Sequence, residues 1–363
     1  MYLKNYNNQK TYKLPQIINS MEMQRFDENR HSSREFIEMC NASIGINYSQ
    51  IDNSFGSGMI EANKFGEPYG LYSKNFELWV GEKDSQMQGF VSLVKKRGGS
   101  SKIKALIVNP SARGLGIGSQ LYEFAMDQLK ASGARKVYGT DAFIDYPTIK
   151  YDLLKGGFEI EGSLREPYKE GVPEIIIGRM FQRGIPAQTI TPTRKPKSEG
   201  LDVKVSEFQE QDLPGIREMV LNMMPDFYGD INEDFVNRMN LAHQRYVKQG
   251  IEYSAKPRIM HVAKVEGQVA GVGLFAPKRG GSAKLSPFLV APQFQSRGVG
   301  SALIEDIESH AKELNIRRLY HHFPSCSIIS QLFFTKHGYL PEARIREPYS
   351  PGVDEIVASK FLK

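Results

Sequence analysis

Two stretches of this chain place glycines where a strand would turn into a helix. The first reads Val108-Asn109-Pro110-Ser111-Ala112-Arg113-Gly114-Leu115-Gly116-Ile117-Gly118-Ser119, and the second Val290-Ala291-Pro292-Gln293-Phe294-Gln295-Ser296-Arg297-Gly298-Val299-Gly300-Ser301. Glycines at a helix start let backbone N–H groups converge without interference from Cβ, and the helix dipole adds partial positive charge. Each turn is therefore an anion site, best suited to a pyrophosphate. A bare Gly-x-Gly serves a packing turn equally well. A Walker loop requires Gly-Lys-Ser/Thr, which is absent. A dinucleotide fold requires Gly-x-Gly-x-x-Gly after the first strand of a parallel βαβ unit, whereas here the turn follows a meander of antiparallel hairpins. Proton transfer has its own candidates. His321 and His322 are adjacent on a predicted strand, so they point to opposite faces and at most one faces a pocket. Glu166 with Tyr168, and Glu347 with Tyr349, belong to two copies of the tetrapeptide Arg-Glu-Pro-Tyr.

The elements that position these residues occur twice. Sliding the chain by 182 residues brings Lys96–Lys102 onto Lys278–Lys284, and 12 of 26 positions are identical through Leu121/Leu303. At a shift of 181, Arg165-Glu166-Pro167-Tyr168 falls on Arg346-Glu347-Pro348-Tyr349, and Gly171-Val172 on Gly352-Val353. The chain is a doubled domain. Residues 1–19 form a polar N-terminal arm, residues 20–182 the first domain, 183–200 an exposed, semi-extended linker with three Pro and four Lys/Arg, and 201–363 the second domain. Each half opens on a short strand (Met21–Phe26; Val203–Phe208) and helical segments. The meander follows, with strands Leu78–Glu82 and Gly89–Val94, or Met260–Lys264 and Gly271–Phe275. An Arg-Gly-Gly-Ser turn, whose glycines supply positive φ, leads to Ile103–Val108 or Leu285–Val290. After the glycine turn, Leu121, Phe124, Ala125 and Leu129, like Leu303, Ile307, Ala311 and Leu314, keep helical spacing. A strand (Lys136–Thr140; Arg318–Phe323), a helix ending at Gly157 or Gly338 and a final hairpin complete an α/β or α+β domain on a twisted mixed sheet flanked by helices.

Composition narrows the class. Hydrophobic residues make up 40% and charged residues 24%, which is globular and argues against disorder. No apolar run approaches the roughly 18–20 residues of a membrane helix, and no apolar stretch follows Met1 as in a secretory signal, so a cytoplasmic protein is expected. Cys40 and Cys326 are too few for a disulfide scaffold. The seven His include no His-Glu-x-x-His, which argues against a metal. A net charge of +6 gives no case for nucleic acid.

The pattern Arg/Gln-x-x-Gly-x-Gly after a Val-x-Pro strand end, with Lys155-Gly156-Gly157-Phe158 and Lys336-His337-Gly338-Tyr339 closing the later helix, resembles the acetyl-CoA signature of the GNAT acyltransferases over nearly the whole chain. The resemblance implies a tandem member that binds acetyl-CoA. Its strand ends (Ile107, Val108; Leu289, Val290) would hydrogen-bond the pantetheine. The loop residues Arg113, Gly114, Leu115, Gly116, Ile117, Gly118 and Ser119, and Gln295, Ser296, Arg297, Gly298, Val299, Gly300 and Ser301, would hold the pyrophosphate. Ser327 stands where many members carry an Asn beside the coenzyme, and Tyr146 is its counterpart. The implied reaction is direct acetyl transfer in a ternary complex to a primary amine of a small molecule or peptide.

The sequence departs from that pattern at the proton-handling positions. Leu153 and Phe334 occupy the place of a family Tyr, and Lys102 and Lys284 that of a family Glu. That leaves His321, His322, Glu166, Tyr168, Glu347 and Tyr349 as candidates, with the second half favoured because it carries the histidines. Glu166 and Glu347 could attract a cationic amine, or pair on the hairpin with Lys102/Lys284 or Arg165/Arg346. Arg97/Arg279 and Lys102/Lys284 could grip a carboxylate-bearing substrate. The alternatives are one catalytic half with a structural partner, as an internal pseudo-dimer or within a homodimer, and an acyl-CoA-binding sensor without chemistry.

Overall fold

The computed structural model describes residues 21–44, 48–65, 70–142, 150, 152–190, 200–253 and 256–362. The first half contains β1 (Glu22–Arg25), α1 (Ser33–Ile44), α2 (Asn53–Phe65), β2 (Ser73–Lys83), β3 (Gln86–Lys96), β4 (Ser100–Val108), α3 (Ile117–Ala131), β5 (Lys136–Ala142), β6 (Glu159–Lys169) and β7 (Val172–Met180). The second contains β8 (Val203–Glu207), α4 (Leu213–Met223), α5 (Pro225–Tyr228), α6 (Glu233–Gln249), β9 (Ile259–Val265), β10 (Gln268–Lys278), β11 (Ser282–Val290), α7 (Val299–Glu313), β12 (Arg318–Pro324), α8 (Ile328–Lys336), β13 (Leu340–Ser350) and β14 (Val353–Phe361). The expected order holds. The meander strands run longer than their apolar cores because Ser73, Lys95 and Lys96 continue the β2–β3 ladder.

All fourteen strands form one sheet, in the order β1-β2-β3-β4-β5-β7-β6-β13-β14-β12-β11-β10-β9-β8. The pairings are antiparallel except β4–β5 and β11–β12. The apolar stripe of α3 (Leu121, Ala125, Leu129) is fully buried against one face of the first half, and that of α7 (Leu303, Ile307, Ala311) against the second. The other face is covered by α1 and α2 in the first half and by α4–α6 in the second. Period-2 alternation makes the division: on β3, Val91 and Leu93 face α3, whereas Phe90 and Val94 face α1 and α2.

The halves meet at β6 and β13, where Gly162 pairs with Ala343. These positions correspond under the 181-residue shift, so an internal two-fold axis passes between them and the contacts of the repeated blocks are made twice. Leu164, Ile176, Tyr320, Ile345 and Val357 bury a small apolar core beside it. The segment up to Ile190 runs along the second half, where Ala187 N–H donates to Gly352 and Ile190 N–H to Cys326.

The two most similar blocks of the repeat are each other's docking surfaces. In the Arg-Gly-Gly-Ser turn of the first half, Gly98 has φ +73° and Gly99 φ +81°. The carbonyl of Gly98 accepts from Arg135 Nε at 3.0 Å and Nη2 at 2.9 Å, and Arg135 Nη1 reaches Glu347 of the second half at 3.0 Å. Ser100 Oγ donates to the Pro348 carbonyl, and a Cβ on Gly98 would collide with the carbonyl of Tyr349. The mirror set is Arg317 Nε on Gly280 O (2.9 Å), Arg317 Nη1 on Glu166 (3.4 Å), Ser282 Oγ on Pro167 O, and Gly280 against the Tyr168 carbonyl. Arg165 crosses to Glu342 at 2.6 Å, and Arg346 to Glu161 at 2.8 Å. Glu347 is 6% exposed and also accepts from the Gly184 amide.

Candidate functional site

The glycine turns have the geometry the sequence suggests. Gly116 and Gly298, at the N-termini of α3 and α7, have φ +80° and +90°, and Gly114 has φ +80°. No atom lies within 4 Å of where a Cβ would sit on any of the three. The amides from Gly114 to Ser119 and from Ser296 to Ser301 have no backbone acceptor among the described residues, as the open end of a helix dictates. The halves differ in detail. Ser296 adopts φ +61° where the first half has a glycine. Gln295 folds back to donate to Val290 O at 2.9 Å, whereas Arg113 extends to Ser43 at 3.3 Å. Ser301 lies 3.1 Å from His337 Nε2. Leu115 projects into solvent, 69% exposed. Ser327 caps α8 by accepting from Ser330 N–H at 3.3 Å; its counterpart Tyr146 lies outside the described residues.

Beside each turn the sheet splays. β4 and β5 pair only through Ser100–Lys102 with Lys136–Tyr138, so residues 103–108 carry an edge without a ladder partner. β11 and β12 pair only from Ser282 to Leu285, leaving residues 286–290 in the same state. Ile107, Val108, Leu289 and Val290 therefore stand on free strand edges running into the turns. His321 closes the apex of the second splay: its Nδ1–H donates to Leu285 O at 2.7 Å, its ring lies 4.3 Å from Phe334, and burial pushes it down to about 3.

His322, on the opposite face, lies among polar groups. Its Nδ1 is 3.1 Å from Glu355 Oε2, and its side chain keeps 15% exposure against 2% for Glu355. Burial, with Lys284 beside it, pushes the imidazole down to about 4. The carboxylate can only accept, so Nδ1 carries the proton and Nε2 is left as the acceptor. The corresponding triad of the first half is Thr140, Glu174 and Lys102, with Lys102 Nζ 3.3 Å from Thr140 Oγ1. Glu174 faces the hydroxyls of Tyr48 and Thr140, and burial raises it to about 7 in spite of them. Sequence reasoning missed this glutamate pair. The signal was present: Glu174 and Glu355 coincide under the same shift that aligns Arg-Glu-Pro-Tyr.

The structure separates the parts of Arg-Glu-Pro-Tyr. Glu166 and Glu347 are held by Arg317 and Arg135 across the seam, not by Lys102/Lys284 or their own Arg165/Arg346 as the sequence suggests. Arg97 and Arg279 are likewise engaged, Arg97 by Asp234 at 2.7 Å and the Leu71 carbonyl at 3.3 Å, Arg279 by Asp52 at 3.5 Å. The tyrosine rings point inward. Tyr349 lies 4.8 Å from Tyr72 and 5.6 Å from Tyr228, and burial lifts its hydroxyl well above the usual range. Tyr168 lies 5.6 Å from Tyr48. Phe334, in place of the family Tyr, is 3% exposed in the core and brings no hydroxyl.

Two segments, residues 54–150 and 224–339, match the model of the acetyltransferase (GNAT) family. The chain belongs to that family. As a GNAT protein it is of the tandem kind. A solved tandem GNAT protein from the clavulanic acid biosynthesis pathway has the same fold, matching 95% of this chain and 99% of its own at 12% identity and a TM-score of 0.51. The ribosomal-protein-alanine N-acetyltransferase from Brucella melitensis matches 44% of this chain and 99% of its own at 20% identity (TM-score 0.37). Ard1 from Thermoplasma volcanium matches 44% and 98% at 18% (TM-score 0.37). No curated protein matches the chain. GNAT proteins bind acetyl-CoA, and the open glycine turns and free strand edges fit that ligand. No helix among the described residues is long and apolar enough to cross a membrane.

The glycine turns carry a prediction. Gly116→Val and Gly298→Val each place a β-branched side chain over the free amides at positive φ, a strain of about 1–2 kcal/mol. Each is expected to weaken acetyl-CoA binding at least tenfold in its own half only, measured by titration calorimetry. Unchanged affinity in both variants would remove the turns from the coenzyme site.

The lysines on this face carry another. Burial, with neighbouring cations, holds Lys96 down to about 7 and Lys104 and Lys284 to about 8. A lysine lowered in the fold binds its proton more readily when unfolded, so stability rises with pH between the two values. Glu174, raised by burial, costs stability from about 4.5 to about 7 and adds no slope above that. The urea midpoint is therefore expected to rise from pH 7 to pH 9.5 in a buffer free of polyvalent anions; a flat or falling midpoint would contradict this.

Proposed function

We propose that this protein transfers the acetyl group of acetyl-CoA to a primary amine of a small molecule or peptide by direct attack in a ternary complex, with the second half as the principal centre. The observation that carries the reading is the His322–Glu355 pair, beside the splay and on the face away from α7. The coenzyme supplies an acetyl thioester; the chain does the rest. Amides of the turn after β11 hold the pyrophosphate, and a strand-edge N–H near Val290 polarises the thioester carbonyl. A primary amine arrives largely protonated, with an ordinary pKa of about 10.4, and must lose that proton to become a nucleophile. His322 Nε2 accepts it while Glu355 holds the imidazole in the required tautomer. Tyr349, whose hydroxyl keeps its proton through the whole physiological range, donates to the sulfur as the C–S bond breaks, and the second proton of the adduct nitrogen restores the tyrosine hydroxyl.

A second reading places a centre in the first half, favoured by one observation: Glu174, buried at the position that corresponds to Glu355, is raised to about 7, which suits a general base near neutrality. Thiol release and product mass with a panel of primary amines test both readings. His322→Ala and Tyr349→Phe should each lower kcat about 100-fold or more if they move protons, and unchanged rates in both would overturn their assignment. Tight coenzyme binding without thiol release for any amine would instead make the protein an acyl-CoA sensor.

A further inference from the structure

The two halves bring their basic side chains into one interior space. Lys96 is a same-face neighbour of Lys102, because Val94 pairs with Lys102, and Lys278 is likewise a neighbour of Lys284, because Ala276 pairs with Lys284. Lys104, at the β4 bulge, lies 4.9 Å from the Phe55 ring, which also receives Arg279 of the second half at 5.9 Å. Tyr72 of the first half enters the second, where its hydroxyl lies 2.9 Å from Ser286 Oγ and its ring 5.8 Å from Lys284 Nζ. The lysines named here and Arg258 are half-buried.

Charge in this space is far from balanced. Lys96, Lys102, Lys104, Arg258, Lys278 and Lys284 face three carboxylates, Glu174, Asp141 and Glu355. The charged groups acting most on Lys278 are all cations, Arg258, Lys284, Lys104 and Lys96, and Lys96 is surrounded in the same way. Neither Lys278 nor Arg258 has a side-chain hydrogen bond or ion pair among the described residues. Enclosed cations without partners are costly unless an anion joins them. The seam does not consume these groups, since Arg97, Arg135, Arg279 and Arg317 already supply its ion pairs.

We infer that the facing sites of the two halves form a single anion-binding chamber, and that the acceptor amine carries two or more negative charges, as carboxylate or phosphate groups, held there by lysines of both halves. The identification of this ligand as the acceptor rests on the acetyl-transfer reading; the chamber itself does not. An anion gripped by Lys278 and Lys96 would present its amine toward His322 and would offset the repulsion among Lys96, Lys278, Lys284 and Arg258.

The test is titration calorimetry of the full chain, without coenzyme, using citrate and tripolyphosphate as probes. Saturable binding of one anion per chain is expected, weakened at least tenfold in the double variant Lys96→Met/Lys278→Met. That variant should melt higher than wild type when no anion is present, because repulsion has been removed, and should gain less from added anion. This second readout separates a lost site from a lost fold. Tighter binding of citrate marks a carboxylate-bearing ligand, and tighter binding of tripolyphosphate a phosphorylated one. No saturable binding of either probe, or equal binding by the variant, would overturn the chamber. If the chamber binds anions, dianionic amines should be acetylated at least ten times faster than neutral amines of similar size. Equal rates would overturn the acceptor assignment, and no transfer to any amine would overturn the acetyl-transfer reading while leaving the anion site in place.

Discussion

Glu355→Gln is expected to lower kcat for acetyl transfer by two orders of magnitude or more while leaving acetyl-CoA affinity within about twofold. The carboxylate does not border the glycine turn, so coenzyme binding has no reason to change. Its effect runs through His322, whose Nδ1 it holds at 3.1 Å. An amide at this position can present either its oxygen or its NH2 to the imidazole, so the tautomer with a free Nε2 acceptor loses its preference. Glu355 is also 2% exposed beside Lys284, and its removal takes away a charge that offsets that lysine. The signature of the role is a split between parameters: a fall in kcat with coenzyme affinity retained, deepened little by adding His322→Ala because the two residues act as one unit. Equal loss of coenzyme binding would point to a folding defect. Full activity would remove the dyad from the reaction. If the first half turns over as well, Glu174→Gln should remove the remaining activity.

Gly98→Val and Gly280→Val are each expected to cost more than about 4 kcal/mol, the range in which a single substitution has a definite structural cause. Two effects add. A β-branched residue at φ +73° or +81° carries about 1–2 kcal/mol of backbone strain. The new Cβ would also collide with the backbone carbonyl of Tyr349 or Tyr168, which cannot rotate away as a side chain can. Relief requires the halves to separate at that corner, exposing the apolar patch at β6–β13 and breaking the ion pair of Glu347 with Arg135 or of Glu166 with Arg317. Urea unfolding should lose cooperativity as one half comes loose from the other. Gly133→Val is the control: it has φ +75° but open space around it, so only the strain should appear. Equal losses at Gly98 and Gly133 would show that the seam does not need the glycine.

Much of this architecture was legible in the sequence because it is periodic. Leu121, Ala125 and Leu129 declare one helical face, and Val91 and Leu93 alternate with Phe90 and Val94 on a strand buried on both sides. The glycine turns were legible because Gly114, Gly116 and Gly298 sit where only positive φ allows the chain to turn. The role of Arg-Glu-Pro-Tyr was not legible. Its identity between copies suggested a site, but Glu166 and Glu347 match because each docks against a conserved-in-repeat partner, the Arg-Gly-Gly-Ser turn of the other half. Spacing along one chain carries no information about which copy a side chain will meet. The glutamates at 174 and 355 were hidden for a related reason. They sit in apolar strands, and only the pairing of β7 with β5 and β14 with β12 places them diagonal to Thr140 and His322. The cationic interior was legible only in part: Lys102 and Lys284 read either as carboxylate contacts or as solvated hairpin residues, and nothing in the spacing along one half brings Lys96 and Lys278 of the two halves together.

The measurement that most directly tests whether both halves are coenzyme-binding acetyltransferase units is calorimetric titration of the purified chain with acetyl-CoA. Two equivalents per chain are expected, of unequal affinity because Gln295 and Ser296 replace Arg113 and Gly114, with one equivalent lost in Gly116→Val and the other in Gly298→Val. A single equivalent would show that one glycine turn no longer binds. Absence of binding would contradict the account.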